Sequence, residues 1–342
     1  MSGNKAAWLD GKAAQLRIAE AEMYEPEKDE VLIKNGAVAI NPVDWKIQDY
    51  GIFLQQWPNI IGTDSSGEVV KIGSGVQNVK VGDRVAAHLI NLKTNQPKHG
   101  AFQLYSIAKA ATVARIPDSI SFTQAAVLPL AIDTAGTGLY DSAEQGKGLG
   151  LEFPSLNPKP SGKTIVVWGG SSSVGAMATQ LATASGAHVV AVASRHNFDF
   201  CKTNGAKEVY DYNSSSVAAD VASAVSASGG EFVGIFDAIS SAESYQHDFE
   251  IFRHLDKGGV LVCTVMAPKP EEWPANVKAN MVFGVSEVPY PLWKDFVTSA
   301  LEKGVLTCAP EPLVVGKGLE SIQAGMDANK KGVSAKKVVI EL

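Results

Sequence analysis

The segment with the clearest chemical potential is a glycine-rich turn in the middle of the chain. A run of β-branched and aromatic residues, TIVVW at 164–168, precedes Gly169-Gly170-Ser171-Ser172-Ser173-Val174-Gly175, and apolar residues at helical spacing follow. This pattern predicts a strand, a tight turn and a helix N-terminus, the context in which a glycine motif binds phosphate. Backbone N–H groups and the helix dipole favour negative charge there. The turn therefore predicts a site for a dinucleotide pyrophosphate.

Residues of this turn have separate expected roles. Gly170 should permit the tight turn, and Gly175 should let the helix approach the sheet. Ser172 replaces the middle glycine of the fingerprint, so its side chain should push the phosphates back slightly, while its hydroxyl could donate to one of them. A tight turn without a ligand is the alternative. The predicted phosphate contacts are Gly170, Ser171, Ser172, Ser173, Val174 and Gly175.

The end of the next predicted strand, HVVAVA, indicates which dinucleotide would bind. An NAD enzyme places a carboxylate there for the adenosine ribose, whereas this chain has Ser194 and Arg195. A hydroxyl and a planar guanidinium suit a 2′-phosphate. The predicted cofactor is therefore NADPH. The alternative is a solvated basic helix start in which Arg195 pairs with nearby Asp199.

Two different rhythms of apolar residues surround the turn. From Val31 to about Val113, short apolar segments alternate with glycine, which predicts a β-rich, barrel-like unit. After Lys163, strands alternate with helices, which predicts a parallel sheet covered on both faces. The pieces from Pro291 onward have no place in such a sheet, so we expect them to return to the first unit. The predicted class is α/β.

Composition is typical of a globular protein of about two domains. The 342 residues are 45% hydrophobic and 19% charged, which excludes intrinsic disorder. The net charge of −6 argues against nucleic acid as a partner. The chain start has no signal-peptide core, and no apolar run reaches the roughly 20 residues that cross a bilayer. We therefore expect a cytoplasmic protein with no membrane partner.

Several spaced motifs, taken in order, resemble the medium-chain dehydrogenase/reductase superfamily over nearly the whole chain. They are AINPVDWK at 39–46, IIGTDSSGEVVKIG at 60–73, VGDRV at 81–85, GAFQLYSI at 100–107 and the glycine turn. The resemblance implies a GroES-like, β-rich catalytic domain formed by residues 1–130 and 288–342. It implies a Rossmann cofactor domain with a doubly wound parallel sheet over 131–287, and an active site in the cleft between the two.

The chain departs from the zinc alcohol dehydrogenases of that superfamily at their metal ligands. Asn41 stands where they carry a catalytic cysteine, and Gly62-Thr63-Asp64 replaces their Gly-His-Glu. Their four-cysteine structural lobe is also missing from the sequence. The closer resemblance is to the zinc-independent quinone and enoyl reductases, in particular to fungal trans-acting enoyl reductases. We therefore expect no bound metal.

In that branch, the nicotinamide delivers a hydride to an electron-poor carbon of an enone, an enoyl thioester or a quinone, mainly through proximity. The family pattern carries over to Thr134 beside the nicotinamide, where it is also a candidate catalytic residue, and to Tyr212 beside the 2′-phosphate. The resemblance further implies cofactor contacts at Asn41, Asp44, Ile239, Phe283, Val285 and Lys336. A polyketide synthase partner is implied by analogy alone.

The proton donor is the least defined part of the prediction. Tyr50 and Lys46 follow the NPVD segment, where some enoyl reductases carry a tyrosine donor, but the spacing of Tyr50 differs from theirs. Surface packing of both residues and protonation by solvent are alternatives. A carbonyl or aldehyde reductase on the same scaffold, or a non-catalytic NADPH-binding sensor, are the alternative functions.

Overall fold

The computed structural model describes residues 3–342, which divide into two compact units. The first unit comprises the residues up to Leu130 together with Trp293–Glu302 and Pro310–Leu342, and the second comprises Ala131–Leu292 and Lys303–Ala309. Residues 288–292, expected in the GroES-like domain, group with the second unit. One reason is the packing of Leu292, since a Cβ added to Gly136 would lie 2.7 Å from Leu292 Cδ1.

The second unit is a parallel sheet with connecting helices. Its strands are Lys163–Trp168, His188–Ala193, Glu208–Asp211, Glu231–Asp237, Gly259–Cys263 and Val277–Met281. Its helices are Ser173–Ala184, Phe198–Thr203, Val217–Ala227 and Ala242–Leu255, with 3₁₀ turns at Arg195–Asn197 and Pro270–Glu272. The strands lie side by side in the order third, second, first, fourth, fifth, sixth, and all pairs are parallel. This is the Rossmann order, so the predicted doubly wound sheet is confirmed.

The first unit is rich in β-structure, as predicted for a GroES-like domain. A three-stranded antiparallel sheet contains Arg17–Ala21, Asn4–Leu9 and Asn59–Ile60. A seven-stranded sheet contains Glu311–Lys317, Lys336–Glu341, Glu30–Ala39, Asp64–Ile72, Arg84–His88, Val113–Arg115 and Tyr105–Lys109. The closing strand pairs antiparallel with Glu30–Ala39, so the tail completes the sheet of this unit.

Helices and short turns fill the remaining parts of the chain. The α-helices outside the parallel sheet are Pro42–Tyr50, Asn91–Thr94, Phe122–Ala125, Pro129–Tyr140, Val297–Glu302 and Ile322–Lys331. A π-helical turn, Leu292–Phe296, precedes Val297–Glu302, and 3₁₀ turns lie at Pro97–His99, Ala110–Thr112 and Leu319–Ser321. No helix of the described chain has the length and apolarity needed to cross a bilayer.

One apolar segment, at 281–288, forms a strand only at its first residue. MVFGVSEV, at 281–288, continues the strand pattern in sequence, but the strand ends at Met281 and begins upstream at Val277. Its partner strand, Gly259–Cys263, pairs residue by residue with Val277–Met281 and ends there as well. The rest of the segment, at 282–288, therefore lies outside the parallel sheet.

A buried ionic cluster, which we call the Glu30 cluster, stabilises the first unit. The fully buried Glu30 carboxylate lies 2.8 Å from Lys109 Nζ, 3.1 Å from Lys98 Nζ and 3.0 Å from His99 Nε2. Burial opposes ionisation, but the hydrogen bonds from Lys109, the Glu27 N–H, His99 and Lys98 lower the pKa of Glu30 to about 2. The carboxylate is thus charged over the whole range in which the protein would be handled.

Glu30→Gln is expected to lower the free energy of unfolding at pH 7 by about 2 kcal/mol, because it removes a charged acceptor of several hydrogen bonds while the two lysines can relax toward water. The Glu30 pKa lies below its ordinary value of 4.5. The contribution is therefore complete above that value and is lost as the pH falls toward 2. Urea unfolding at pH 7 and pH 3 measures it. A variant that is as stable as the wild type at pH 7 would contradict this interpretation of the Glu30 cluster.

Candidate functional site

The predicted glycine turn follows the first strand of the parallel sheet. Gly169 has a φ of 75°, a left-handed conformation that glycine adopts without strain. Gly170 does not have a positive φ, but a Cβ there would lie 3.1 Å from Ala191 Cβ and 3.3 Å from Cys201 Sγ. The expectation that Gly170 permits the turn is therefore corrected. Gly169 supplies the backbone conformation, and Gly170 is small because the next strand and helix pack against it.

Gly175 and Ser172 determine how the helix starts. A Cβ on Gly175 would lie 2.2 Å from the carbonyl oxygen of Gly169, so the close approach of helix and turn requires glycine. Ser172 is the N-cap residue, and its Oγ accepts the Gly175 N–H at 3.0 Å. A hydroxyl that accepts at a cap can still donate its own proton outward. Ser172 thus has a structural reason to be present where the fingerprint has glycine.

The start of the helix Ser173–Ala184 has the properties of an anion site. The first intrahelical bond runs from the Ala176 N–H to the Ser172 carbonyl, so the N–H groups of Ser173 and Val174 precede the helical ladder. The Ser173 Oγ is buried and has no hydrogen-bond partner among the described residues. A buried hydroxyl without a partner costs free energy, which a phosphate oxygen would recover. The residues present therefore fit a pyrophosphate.

Asn197 links the glycine turn to the end of the second strand, and the sequence analysis missed it. Its Nδ2 donates to Ser171 Oγ at 3.2 Å and to Ser194 Oγ at 3.1 Å. The available signal was an amide three residues after Ser194 at a predicted helix start, where such side chains bind local polar groups. The two predicted serines are therefore held in one hydrogen-bonded arrangement.

Arg195 lies beyond the second strand, with 84% of its side chain exposed. Its Nε is 3.7 Å from Asp211 Oδ2, so its acidic neighbour is Asp211, where the alternative interpretation named Asp199. Hydrogen bonds from Asn213 and the charge of Arg195 lower the pKa of Asp211. An exposed pair at this distance is weak. The guanidinium can therefore turn toward another anion, and the exposed side chain of Tyr212 lies next in sequence to Asp211.

The strand order of the parallel sheet reverses between its first and fourth strands, which is where ligands of doubly wound sheets bind. Ile239 follows the fourth strand and is 45% exposed. A Cβ on Gly169 would lie 2.6 Å from Ile239 Cγ1. The predicted nicotinamide contact Ile239 therefore covers the backbone of the glycine turn.

The segment that carries Phe283 and Val285 is hydrogen-bonded to the helix that carries Thr134. Thr134 is a buried helix residue, and one turn later the Oγ1 of Thr137 lies 2.7 Å from the Oγ of Ser286. The Val285 N–H donates to the Phe283 carbonyl at 2.8 Å, which shapes the segment before Ser286. The segment is thus held against the helix that carries Thr134. Whether these residues contact a cofactor stays a prediction.

In the first unit, Asn41, Thr63, Asp64 and Lys337 form a buried polar group, the Asn41 cluster. Asn41 Nδ2 donates to Asp64 Oδ2 at 2.8 Å and to Thr63 Oγ1 at 3.1 Å. Lys337 Nζ lies 3.0 Å from Asp64 Oδ2 and also donates to Asn41 Oδ1. The side chains of Lys337 and Asp64 are only 4% and 0% exposed. A buried ammonium therefore balances a buried carboxylate here.

Lys336, the predicted cofactor contact, lies outside this cluster. Its ammonium pairs with Glu311 at the surface of the sheet. Successive side chains of a strand point to opposite faces, so Lys337 enters the buried cluster when Lys336 faces the solvent. The sequence analysis did not identify the buried Lys337, and a cofactor contact at Lys336 stays a prediction.

Asp44 caps the helix Pro42–Tyr50. Its Oδ2 accepts the Asn41 N–H at 2.7 Å, as part of a capping box. Its Oδ1 is buried and has no hydrogen-bond partner within the described residues. Burial raises the pKa of Asp44 to about 7. Burial thus favours the protonated form of Asp44.

Tyr50 and Lys46, the proposed proton donor and its neighbour, surround Trp45 on the same helix. The Tyr50 side chain is 58% exposed, and its ring meets that of Trp45 edge-on at 6.4 Å between centroids. Lys46 Nζ lies 5.6 Å from the Trp45 ring centroid. This is the surface packing that the alternative interpretation describes. A role for either residue in proton transfer stays a prediction.

The donor groups of the Asn41 cluster are poorly suited to a metal ion. An amide, a hydroxyl and one carboxylate share the site with an ammonium, whose charge would repel a cation. Across residues 3–342, no group of three or more His, Cys, Asp or Glu side chains could hold a metal. The anion-binding turn is therefore the cofactor feature that the described residues support.

Comparison with known proteins agrees with this two-part organisation. Residues 27–118 match the model of the alcohol dehydrogenase GroES-like domain, and residues 173–288 match that of the zinc-binding dehydrogenases. The chain is similar to a solved alcohol dehydrogenase superfamily protein from Novosphingobium aromaticivorans, with a TM-score of 0.77, 22% identity and 99% of each chain covered. That likeness concerns the fold.

Sequence identity to two fungal proteins is higher than to that solved structure. The chain is 45% identical to the dehydrogenase orsE of Emericella nidulans, with all of both chains covered. It is 40% identical to the trans-enoyl reductase himH of Aspergillus japonicus, covering 99% of this chain and 97% of that one. Together with the Rossmann sheet and the GroES-like unit, these matches show that the chain belongs to the medium-chain dehydrogenase/reductase family of oxidoreductases.

Proposed function

We propose that this protein is a zinc-independent, NADPH-dependent reductase that transfers a hydride to an activated carbon–carbon double bond or to a quinone. The observation that carries the proposal is the start of the helix Ser173–Ala184, where glycine backbone, free N–H groups and the unpartnered Ser173 hydroxyl form an anion site at the carboxyl end of the sheet. A dinucleotide pyrophosphate has the charge and shape for that site.

The choice of NADPH over NADH rests on the end of the second strand. NAD enzymes have a carboxylate at this position, which binds the ribose and would repel a 2′-phosphate. This chain has Ser194 and the exposed Arg195 there instead. The nearby Asp211 belongs to the third strand and interacts only weakly with Arg195. A 2′-phosphate would draw the guanidinium into a bidentate contact, and the exposed phenol of Tyr212 is a further donor in this region.

When bound, the nicotinamide supplies the hydride. The chain's own residues orient the coenzyme and exclude water from the site. The Ser173 hydroxyl and the N–H groups of Ser173 and Val174 would bind the pyrophosphate. Ile239, Phe283 and Val285 would contact the nicotinamide half, and Thr134 would lie beside it. Because hydride transfer depends on distance, holding donor and acceptor about 3–3.5 Å apart is the main catalytic task of such residues.

Zinc independence rests on the composition of the Asn41 cluster. A catalytic zinc is held by nitrogen, sulfur or carboxylate ligands and polarises the oxygen of an alcohol or carbonyl. Here the Lys337 ammonium donates a hydrogen bond to Asn41 and forms an ion pair with Asp64. An activated alkene or a quinone accepts a hydride without that polarisation. These substrates therefore suit the chain better than an unactivated alcohol does.

The similarity to a trans-enoyl reductase supports an enoyl thioester or enone as the natural acceptor. A polyketide synthase that presents such a substrate rests on the same likeness alone. The proton that completes the reduction would come from Tyr50, assisted by Lys46, or from solvent, because Tyr50 is exposed to water and Lys46 is only partly buried.

The test is a panel of acceptors incubated with NADPH deuterated at nicotinamide C4. We expect oxidation of NADPH with enones, enoyl thioesters or quinones, and deuterium at the electron-poor carbon of an alkene product by mass spectrometry. Deuterium appearing only at the carbonyl carbon of aldehydes would favour a carbonyl reductase. Tight NADPH binding with no turnover across the panel would favour the non-catalytic sensor and refute the proposal.

A further inference from the structure

Two buried carboxyl groups lie beside the predicted cofactor region, and the proposed reaction uses neither. Asp237 ends the fourth strand of the parallel sheet, and Asp248 lies in the helix Ala242–Leu255. Both residues are 0% exposed. The two carboxyl groups are close enough that each shifts the pKa of the other. Such a pair needs a physical explanation, because two neighbouring buried carboxylates repel.

Asp237 is the member of the pair that accepts more hydrogen bonds from the protein. Its Oδ1 accepts the backbone N–H groups of Ile239 at 2.8 Å and Ser240 at 2.9 Å. Its Oδ2 accepts the Ser244 hydroxyl at 2.6 Å. A carboxylate offers about four acceptor positions, so these three donors leave one for Asp248. Asp237 is therefore the member that holds the negative charge.

Asp248 has the opposite environment. Neither of its oxygens accepts a hydrogen bond from the described residues. Burial and the charge of Asp237 raise the pKa of Asp248 well above its ordinary value. Two carboxyl groups can hydrogen-bond to each other only when one keeps its proton. Asp248 is consequently the neutral acid of the pair.

The turn that Asp237 holds is fixed by several hydrogen bonds and places Ile239 over the glycine turn. Ser240 has a φ of 56°, an uncommon conformation for a residue with a side chain. Its Oγ donates to the Asp237 carbonyl at 2.9 Å and accepts the Thr264 N–H at 2.7 Å. Ile239 lies between these anchored residues and covers the backbone of Gly169. The position of Ile239 over the glycine turn thus depends on the Asp237 carboxylate.

We propose that Asp237 is a positioning residue for the coenzyme, because its carboxylate fixes Ile239 against the glycine turn. In this proposal, Asp248 keeps its proton and donates a hydrogen bond to Asp237. The ligand named here rests on the proposed function. The anchored turn does not, because it is a property of the chain without any ligand. Asp237 acts through the Ile239 backbone and touches no reacting atom.

The test compares Asp237→Asn with the matched variant Asp248→Asn. In Asp237→Asn, the amide oxygen can still accept the Ile239 and Ser240 N–H groups, but it carries no charge, and the NH₂ group replaces the oxygen that accepts from Ser244. Hydrogen bonds to an uncharged acceptor are weaker, so the turn should loosen. In Asp248→Asn, the amide still donates to Asp237, so the turn should stay. Hydrogen–deuterium exchange of the Ile239 and Ser240 amides in the coenzyme-free protein should accelerate at least about tenfold in the first variant, a loss of roughly 1.4 kcal/mol of protection. The second variant should stay within about twofold of wild type.

The same variants separate positioning from general damage. The Kd and KM for NADPH should rise about tenfold in Asp237→Asn, with kcat at saturating coenzyme within about twofold. Infrared difference spectra at pH 7 should show the carbonyl stretch of a protonated acid that disappears in Asp248→Asn, a result that stands even if Asp237→Asn does not fold.

Equal exchange at the Ile239 and Ser240 amides in both folded variants, or no protonated acid assigned to Asp248, overturns the inference. A wild-type protein that shows the predicted exchange and infrared pattern but binds no NADPH refutes the proposed function and supports the anchored turn. The two ideas therefore fail separately.

Discussion

Lys337→Met is expected to lower the free energy of unfolding by about 3–5 kcal/mol, the largest effect that we predict for a single substitution. Methionine fills much of the same space but carries no charge. The Asp64 carboxylate, which is fully buried, would keep its bonds from the Asn41 amide at 2.8 Å and the Leu130 N–H at 2.6 Å and lose its cation. Urea unfolding at pH 7 measures the loss.

Lys336→Met is the matched control, because it removes the same group one residue earlier on the same strand. Lys336 pairs with Glu311 in water, so this variant should unfold at the same urea concentration as wild type. If the two variants were equally stable, the Asn41 cluster would not depend on the Lys337 ammonium. The argument against a metal at this cluster would then lose its basis.

Arg195→Ala is expected to weaken NADPH binding about ten- to a hundredfold, or roughly 1.5–3 kcal/mol, and to leave NADH binding nearly unchanged. The reason is that Arg195 is 84% exposed and only weakly engaged by Asp211, so it can donate to a 2′-phosphate that NADH lacks. Fluorescence titration of both coenzymes measures the difference.

Arg253→Ala provides the control, since it removes an exposed arginine from the helix Ala242–Leu255 of the same unit. It should change the affinity for neither coenzyme. An equal loss for NADPH and NADH in Arg195→Ala would assign Arg195 to general packing of the cofactor region, and the preference for NADPH would need another source.

The Rossmann unit was predictable because its signals are local. A β-branched strand, a glycine turn and a helix follow one another in 164–184, and each of the three has its own recognisable sequence pattern. The division of labour between Gly169 and Gly170 was not predictable. It depends on the packing of Ala191 and Cys201, which come from later elements of the chain.

The Asn41 cluster shows why the rest of the site required the structure. Asn41, Thr63 and Asp64 were identified by their motifs, but their cation comes from the last strand, nearly 300 residues later in the chain. A strand alternates its faces with each residue, so Lys337 is buried while its neighbour Lys336 is exposed, and no motif in the sequence distinguishes the two. Asp248 escaped notice for a similar reason, because its partner Asp237 belongs to another element.

The most direct test of the central claim is a calorimetric titration of the chelator-treated protein with NADPH and, separately, with NADH. The account predicts saturable binding of NADPH at one site per chain, without metal, and at least tenfold weaker binding of NADH. No heat of binding with NADPH, or equal affinity for the two coenzymes, would contradict it.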